Sequence, residues 1–219
     1  MPLNERHVTP SILSADFSRL SSHVKEIMDE GCRVIHCDVM DGHFVPPITF
    51  GPMVVAALRE SLPDEAYLDV HLMIESPEKH VAEFAKASAD GITIHFEATP
   101  HVDYTLSAIR DAGCKAGLVV CPGTPPDCFA QSEIDLALIM TVNPGWGGQP
   151  FLRNQLAKIR RVREMLPDTA IEVDGGVNLE TGAECAEAGA TWFVAGSAIF
   201  KADDPIAAYH EIAKAVGAE

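Results

Sequence analysis

Apolar residues come in short runs along the chain, and each run is followed by a longer stretch in which they recur at helical spacing. Eight runs read as strands: Val8–Leu13, Arg33–Met40, Tyr67–Met73, Gly91–Phe96, Lys115–Cys121, Leu136–Val142, Ala170–Asp174 and Thr191–Ala195. Helices are expected near residues 18–30, 51–61, 77–89, 102–112, 125–132, 151–166, 179–188 and 204–217. Ser76-Pro77 and Asp204-Pro205 each put a capping residue before proline at a first helical position. Gly31, Gly113 and Gly189 fall just past helices, where a left-handed residue belongs. Eight β-then-α units of about 27 residues each fit a compact (β/α)8 TIM barrel. The alternation runs over residues 1–219 without a linker or low-complexity tract, so one domain is expected. A doubly wound open sheet is disfavoured, because no G-x-G-x-x-G follows the first strand.

In a barrel, the chemistry sits at the C-terminal ends of the strands. The second strand ends in His36-Cys37-Asp38-Val39-Met40-Asp41-Gly42. Side chains alternate between faces, so His36, Asp38 and Met40 share one face and Ile35, Cys37 and Val39 the other. Alternate residues stand roughly 7 Å apart, close enough for an imidazole and a carboxylate to converge on one ion. The third strand repeats the arrangement with Asp69, His71 and Met73, and the fourth sets Thr93, His95 and Glu97 on one side, suited to a polar shell near the mouth. His43 belongs to a loop, and His7, His23, His80, His101 and His210 to the tail or helices. The first strand carries Ser11 near its end, and Asp174 closes the seventh ahead of Gly175-Gly176. Strand six leads into Asn143-Pro144-Gly145-Trp146-Gly147-Gly148-Gln149, and strand eight into Gly196-Ser197, a candidate start for a short extra helix. Glycine-rich loops there let backbone N–H groups approach an anion closely.

Composition narrows the class. With 219 residues and 47% hydrophobic content, the chain suits one domain with a sizeable core. No apolar run has the length of a membrane span and Met1–Val8 is not a signal peptide, so a cytoplasmic location is expected. Six cysteines show no CxxC pair; Cys37, Cys114 and Cys185 read as small core residues. A formal charge of −16 argues against nucleic-acid and anionic-membrane partners. Any phosphate would then be held locally, by backbone amides rather than a basic surface.

The chain resembles the ribulose-phosphate 3-epimerase family of sugar-phosphate metabolism. The blocks that carry the resemblance are Pro10–Phe17, His36–Pro46, Asp69–Ile74, Met140–Phe151, Val173–Gly176 and Val194–Phe200. The resemblance implies a ribulose-phosphate-binding barrel that inverts C3 of a ketopentose 5-phosphate, taking D-ribulose 5-phosphate to D-xylulose 5-phosphate. It implies one divalent metal ion per chain held by His36, Asp38, His71 and Asp174, with Asp38 and Asp174 as the two acid/base groups. Zinc, ferrous iron, manganese and cobalt all suit two imidazoles and two carboxylates. It further implies Ser11 and His71 near a small phosphorylated ketose, and phosphate contacts from Gly145, Trp146, Gly147, Gly148, Gly175, Gly176, Gly196 and Ser197. Met40, Met73 and Met140 would line the reacting carbons. Departures are Cys121 before Pro122-Gly123-Thr124 where the family usually has asparagine, Pro47 for a common asparagine, and Trp146 for a common phenylalanine. They bear on substrate selectivity and remove no ligand or base. A homo-oligomer remains open. The rivals are a ketohexose 6-phosphate 3-epimerase and a catalytically silent phosphosugar-binding barrel. The metal-free decarboxylase branch is rejected, since the second strand lacks the lysine of an Asp-x-Lys-x-x-Asp array.

Overall fold

The computed structural model describes residues 3–218. Met1, Pro2 and Glu219, which the single-domain assignment and the reading of the N-terminus also cover, lie outside the described residues. The strands are β1 (His7–Pro10), β2 (Val34–Met40), β3 (Tyr67–Met73), β4 (Gly91–His95), β5 (Lys115–Val120), β6 (Leu136–Met140), β7 (Ala170–Asp174) and β8 (Trp192–Ala195). The helices are α1 (Leu20–Met28), α2 (Pro52–Ser61), α3 (Val81–Lys86), α4 (Val102–Asp111), α5 (Gln155–Met165), α6 (Leu179–Ala188), α7 (Ser197–Phe200) and α8 (Pro205–Val216). The strands form one parallel sheet in the order β1-β8-β7-β6-β5-β4-β3-β2. A parallel bridge between Ser11 and His36 links its two edges, giving the expected (β/α)8 barrel.

Register decides which side chains meet inside. Asp38 pairs with His71, and His71 in turn with Thr93. On the far side Met140 pairs with Asp174, and Asp174 with Val194. Paired neighbours in a parallel sheet point to the same face, so these residues share the interior. Ile35, Cys37 and Val39 face outward into the main core beneath the helices. Below the polar layer, Val34, Leu136, Ala170 and Trp192 fill the barrel floor with Tyr67 packed against them. The Trp192 indole N–H donates to the Leu3 carbonyl at 3.0 Å, which satisfies its one polar atom. The floor is closed and apolar, and the opposite end opens into a cleft.

Several expected elements differ in detail. The first strand stops at Pro10, because the Ser11 hydroxyl accepts from the Leu13 N–H at 3.3 Å and bends Ile12–Ser14 into a 3-10 turn. The fourth strand ends at His95, with Phe96–Ala98 again a 3-10 turn. The segment near 125–132 is a 3-10 helix, Pro126–Gln131: adjacent prolines remove two amide donors, and the run is too short to gain from α-helical bonding. Ser76 does not cap; it sits at φ 51° and makes no side-chain capping bond, whereas Asp204 accepts from the Ala207 N–H at 3.0 Å. Gly31, Gly113 and Gly189 have the expected positive φ. His7, expected in the tail, begins β1 and meets the Trp192 ring edge-on.

The interior also explains Gly117, which pairs with Thr93. A Cβ there would collide with the Thr93 hydroxyl. Gly117→Ala should therefore destabilise the barrel by about 1–3 kcal/mol through overpacking. Urea unfolding measures it, and an unchanged midpoint would mean the interior has slack at this layer.

Candidate active site

Four side chains from three strands converge at the top of the barrel interior. His36 Nε2 lies 3.3 Å from Asp38 Oδ1, and His71 Nδ1 lies 3.2 Å from the same oxygen. Asp174 Oδ2 is 3.7 Å from His71 Nδ1. One ligand atom from each of the four falls within 4.8 Å of the others. The Ser11 hydroxyl donates to Asp38 Oδ2 at 2.5 Å. Each imidazole uses its other nitrogen on an outer partner: His36 Nδ1 meets Asp69 Oδ2 at 2.6 Å, and His71 Nε2 meets His95 Nε2 at 2.9 Å. Such outer contacts orient an imidazole so that its free nitrogen faces a cation.

Beneath this set lies a second buried carboxyl. Glu172 Oε1 is 3.4 Å from His36 Nδ1 and 3.4 Å from the Thr9 hydroxyl, while its Oε2 has no partner among the described residues. Four carboxyls therefore share the interior with the imidazoles of His36, His71 and His95, and their protonation diverges. Burial pushes Glu172 up to about 8, with the neighbouring Asp69 adding to it. Burial and the facing Asp38 carboxylate push Asp174 up to about 6. Burial opposes ionisation of Asp38 as well, but the His36 and His71 rings outweigh it and hold that carboxyl well below the usual range. Burial likewise works against charging His36, yet the carboxylates of Asp38, Glu172 and Asp69 raise it well above an ordinary histidine. This donor set, two imidazoles and two carboxyls converging within 4.8 Å, fits a divalent cation.

Above the four side chains opens a cleft. Asp38 and Asp174 form part of its wall together with Ser11, Met40, Met73 and Met140. Gly145, Trp146, Gly147, Gly148, Gly175, Gly176, Gly196 and Ser197 border it too. His36 and His71 do not reach it; they are fully buried behind the two carboxylates. Gly176 is confined twice over: its φ is +68°, and a Cβ would lie 2.9 Å from the Phe151 amide nitrogen. The two glycine loops after β6 and β7 thus pack backbone to backbone at the cleft's edge.

The structure gathers the residues singled out from the sequence at one site, and adds Glu172, which the sequence reading did not single out. Glu172 lies two residues before Asp174, so it faces inward by the same rule, one layer down. The parity was readable; its proximity to His36 across the barrel was not. Glu97, recognised as polar, proves to be a hub: its Oε1 accepts from the Cys121 N–H at 2.8 Å and from the Thr124 hydroxyl, and its Oε2 lies 3.4 Å from His95 Nδ1. Of the six cysteines, all unpaired, Cys37, Cys114 and Cys185 are buried core residues as expected.

Residues 7–200 match the family described as the Ribulose-phosphate 3 epimerase family. The chain belongs to that family. It is 49% identical over 214 residues to the ribulose-phosphate 3-epimerase of Bacillus subtilis (strain 168), an alignment covering 94% of this chain and 97% of the relative. The Synechocystis enzyme of that name is 51% identical over 203 residues, covering 89% and 87% of the two chains. Among solved structures, KGPDC from Streptococcus mutans superimposes with a TM-score of 0.74 at 19% identity, covering 97% of this chain and 98% of that one. A 3-hexulose-6-phosphate synthase gives 0.67 at 21% identity, over 96% and 98%. These two share the fold of this epimerase.

The polar shell at β4 makes the barrel's stability depend on pH. Burial pushes His95 down to about 4, with the His71 ring adding to it against the pull of Glu97. Folded His95 stays neutral where an unfolded histidine, with its ordinary value near 6.5, takes up a proton. Between those values the unfolded chain binds the extra proton, so stability falls as pH drops from about 6.5 towards about 4. The full contribution is about 3 kcal/mol. Urea midpoints at pH 7 and pH 5 should therefore fall further for the metal-free wild type than for His95→Gln. Equal falls would show that His95 does not resist protonation.

Proposed function

We propose that this epimerase interconverts D-ribulose 5-phosphate and D-xylulose 5-phosphate by moving the C3 proton through two carboxyl groups. The observation that carries this reading is the placement of Asp38 and Asp174 on the wall of one cleft, with His36 and His71 directly behind them. Inversion next to a carbonyl needs a base on one face of the carbon and an acid on the other. Strands β2 and β7 bring the two carboxyls in from separate parts of the barrel wall. Without an ion the imidazoles hold Asp38 low while burial and Asp38 raise Asp174; a cation held between them would favour the ionised form of both, leaving either carboxylate ready to act as a base. The Ser11 hydroxyl holds Asp38 Oδ2 in place and leaves Oδ1 to the imidazoles.

His36, Asp38, His71 and Asp174 would hold the divalent ion; zinc, ferrous iron, manganese and cobalt are all compatible with them. When bound, such an ion supplies Lewis-acid stabilisation of the negative charge that develops on the substrate oxygens as the proton leaves. The three methionine side chains line the cleft next to the carboxyls and would present apolar surface to the reacting carbons. A phosphate at the far end would be held by backbone N–H groups of the glycine loops after β6, β7 and β8, which need no basic surface in a chain of charge −16.

Gly176→Val should weaken phosphosugar binding, since any side chain there would push into the 149–151 backbone. Neutralising exposed Lys25 should leave affinity unchanged. Calorimetric titration of both variants decides it, and a larger loss from the lysine change would move the phosphate site elsewhere.

Asp38→Asn and Asp174→Asn keep the side-chain size but remove one proton carrier each. Each should lower epimerisation by at least about 10²–10⁴-fold, the usual share of acid–base catalysis. The remaining aspartate should still exchange the C3 proton with heavy water from one epimer, and the reciprocal variant from the other. Mass spectrometry on each epimer, with metal content measured in parallel, tests this. Equal exchange of both epimers by Asp38→Asn would rule out face-specific bases.

A further inference from the structure

Behind His71 runs a line of side chains that the reaction above leaves unused. His71 Nε2 lies 2.9 Å from His95 Nε2, and the two rings stack with centroids 5.0 Å apart. His95 Nδ1 lies 3.4 Å from Glu97 Oε2. Glu97 Oε1 in turn accepts from the backbone N–H of Cys121 at 2.8 Å and from the Thr124 hydroxyl. The Cys121 thiol is 3.6 Å from the same His95 nitrogen, a weak partner beside a carboxylate. Both rings are fully buried, so water cannot substitute between them.

Two ring nitrogens in hydrogen-bond contact share one proton, so donors and acceptors must alternate along the line. A cation on His71 Nδ1 takes that nitrogen's lone pair, which leaves the ring proton on Nε2. The Nε2–H then donates to His95 Nε2, and the proton of neutral His95 must sit on Nδ1. It requires an acceptor on its outer side. Glu97 is that acceptor, and its orientation is set by the Cys121 amide, a donor that cannot reverse its role.

We propose that His95 and Glu97 are positioning residues that fix His71 in the one tautomer able to hold a divalent cation on Nδ1. The inference rests on the cation reading given above and extends it to residues that touch neither cation nor substrate. Outer partners of this kind commonly change metal affinity by about 10–100-fold.

Glu97→Gln separates a proton-ordering role from simple packing. The amide oxygen stays with the Cys121 N–H, and its NH2 group then faces His95 Nδ1. That forces the His95 proton onto Nε2, against the Nε2–H of a cation-bound His71. Glu97→Ala opens a gap where the Glu97 side chain is a quarter exposed, so that water can accept from His95. Zinc affinity, measured by competition with a fluorescent chelator on the full chain, should fall about 10–100-fold for Glu97→Gln and less for Glu97→Ala. In the zinc-loaded wild type, nitrogen-15 shifts should report His95 protonated on Nδ1, and in Glu97→Gln on Nε2. Cys121→Ala should match the wild type in both measurements. A larger loss for Glu97→Ala than for Glu97→Gln, or an unchanged His95 tautomer, overturns the proposal. So would two zinc ions per wild-type chain falling to one in Cys121→Ala, because His95 Nδ1 would then be a ligand rather than a donor. If the wild type binds no zinc, manganese, cobalt or ferrous iron, the cation reading fails and this inference with it. If the wild type binds one ion and Glu97→Gln binds it equally well, the ordering role alone fails.

Discussion

Four carboxyl groups and three imidazoles confined in the interior of a closed barrel form the constraint to which the rest of this structure answers. Isolated charges in such a place cost several kcal/mol each, so every group must be paired, protonated or matched by a counter-ion. The structure uses the first two routes unevenly. Asp38 is ionised between two imidazoles and a serine hydroxyl, while Glu172 and Asp174 are pushed towards their neutral forms. A divalent ion at His36, Asp38, His71 and Asp174 would supply the third route, since a bound cation favours the ionised form of the carboxyls around it.

The layering of the barrel follows from that constraint. The floor of Val34, Leu136, Ala170 and Trp192 keeps water from reaching the polar layer from below. Above it, Met40, Met73 and Met140 border the cleft with flexible, weakly polar side chains that can fit closely against a small substrate. Gly117 leaves room for Thr93 in the same layer, so the inward-facing positions alternate bulk with space. A polar layer this size stabilises little by itself. The apolar shell between strands and helices, with residues such as Ile35, Cys37 and Val39 at no more than a few per cent exposure, carries the fold.

What could be read from the sequence divides along the same physical line. Strand periodicity has a period of two, so the inward face of His36, Asp38 and Met40 was legible without coordinates, as was that of His71 and Met73. The eight units and the single barrel were legible for the same reason, and the resemblance to the epimerase blocks implied a set of metal ligands and two acid/base groups. Cross-strand distances were not legible, because they depend on register and on how the sheet closes. The contact of Glu172 with His36 and the chain from His71 through His95 to Glu97 belong to that class. Local bonding at strand ends was the other blind spot: the Ser11 hydroxyl ends β1 early, and Ser76 occupies a left-handed conformation where a cap was expected.

Barrels at 16–21% identity superimpose on this chain over nearly its whole length, yet their names include a synthase, a decarboxylase and a pyrophosphorylase. A shared fold therefore says little about which bond is made or broken. The candidate chemistry of this chain is concentrated in a few strand-end positions, and these are physically coupled. A lysine on β2 in place of the His-x-Asp pair would put a fixed positive charge where the imidazoles now leave room for a divalent ion. It would also leave Asp69 and Glu172 without the ring that separates them from the cleft. Conversion between such chemistries thus requires several interior residues on β2, β3 and β7 to change together, because no single one of them can lose its partner in that interior at low cost.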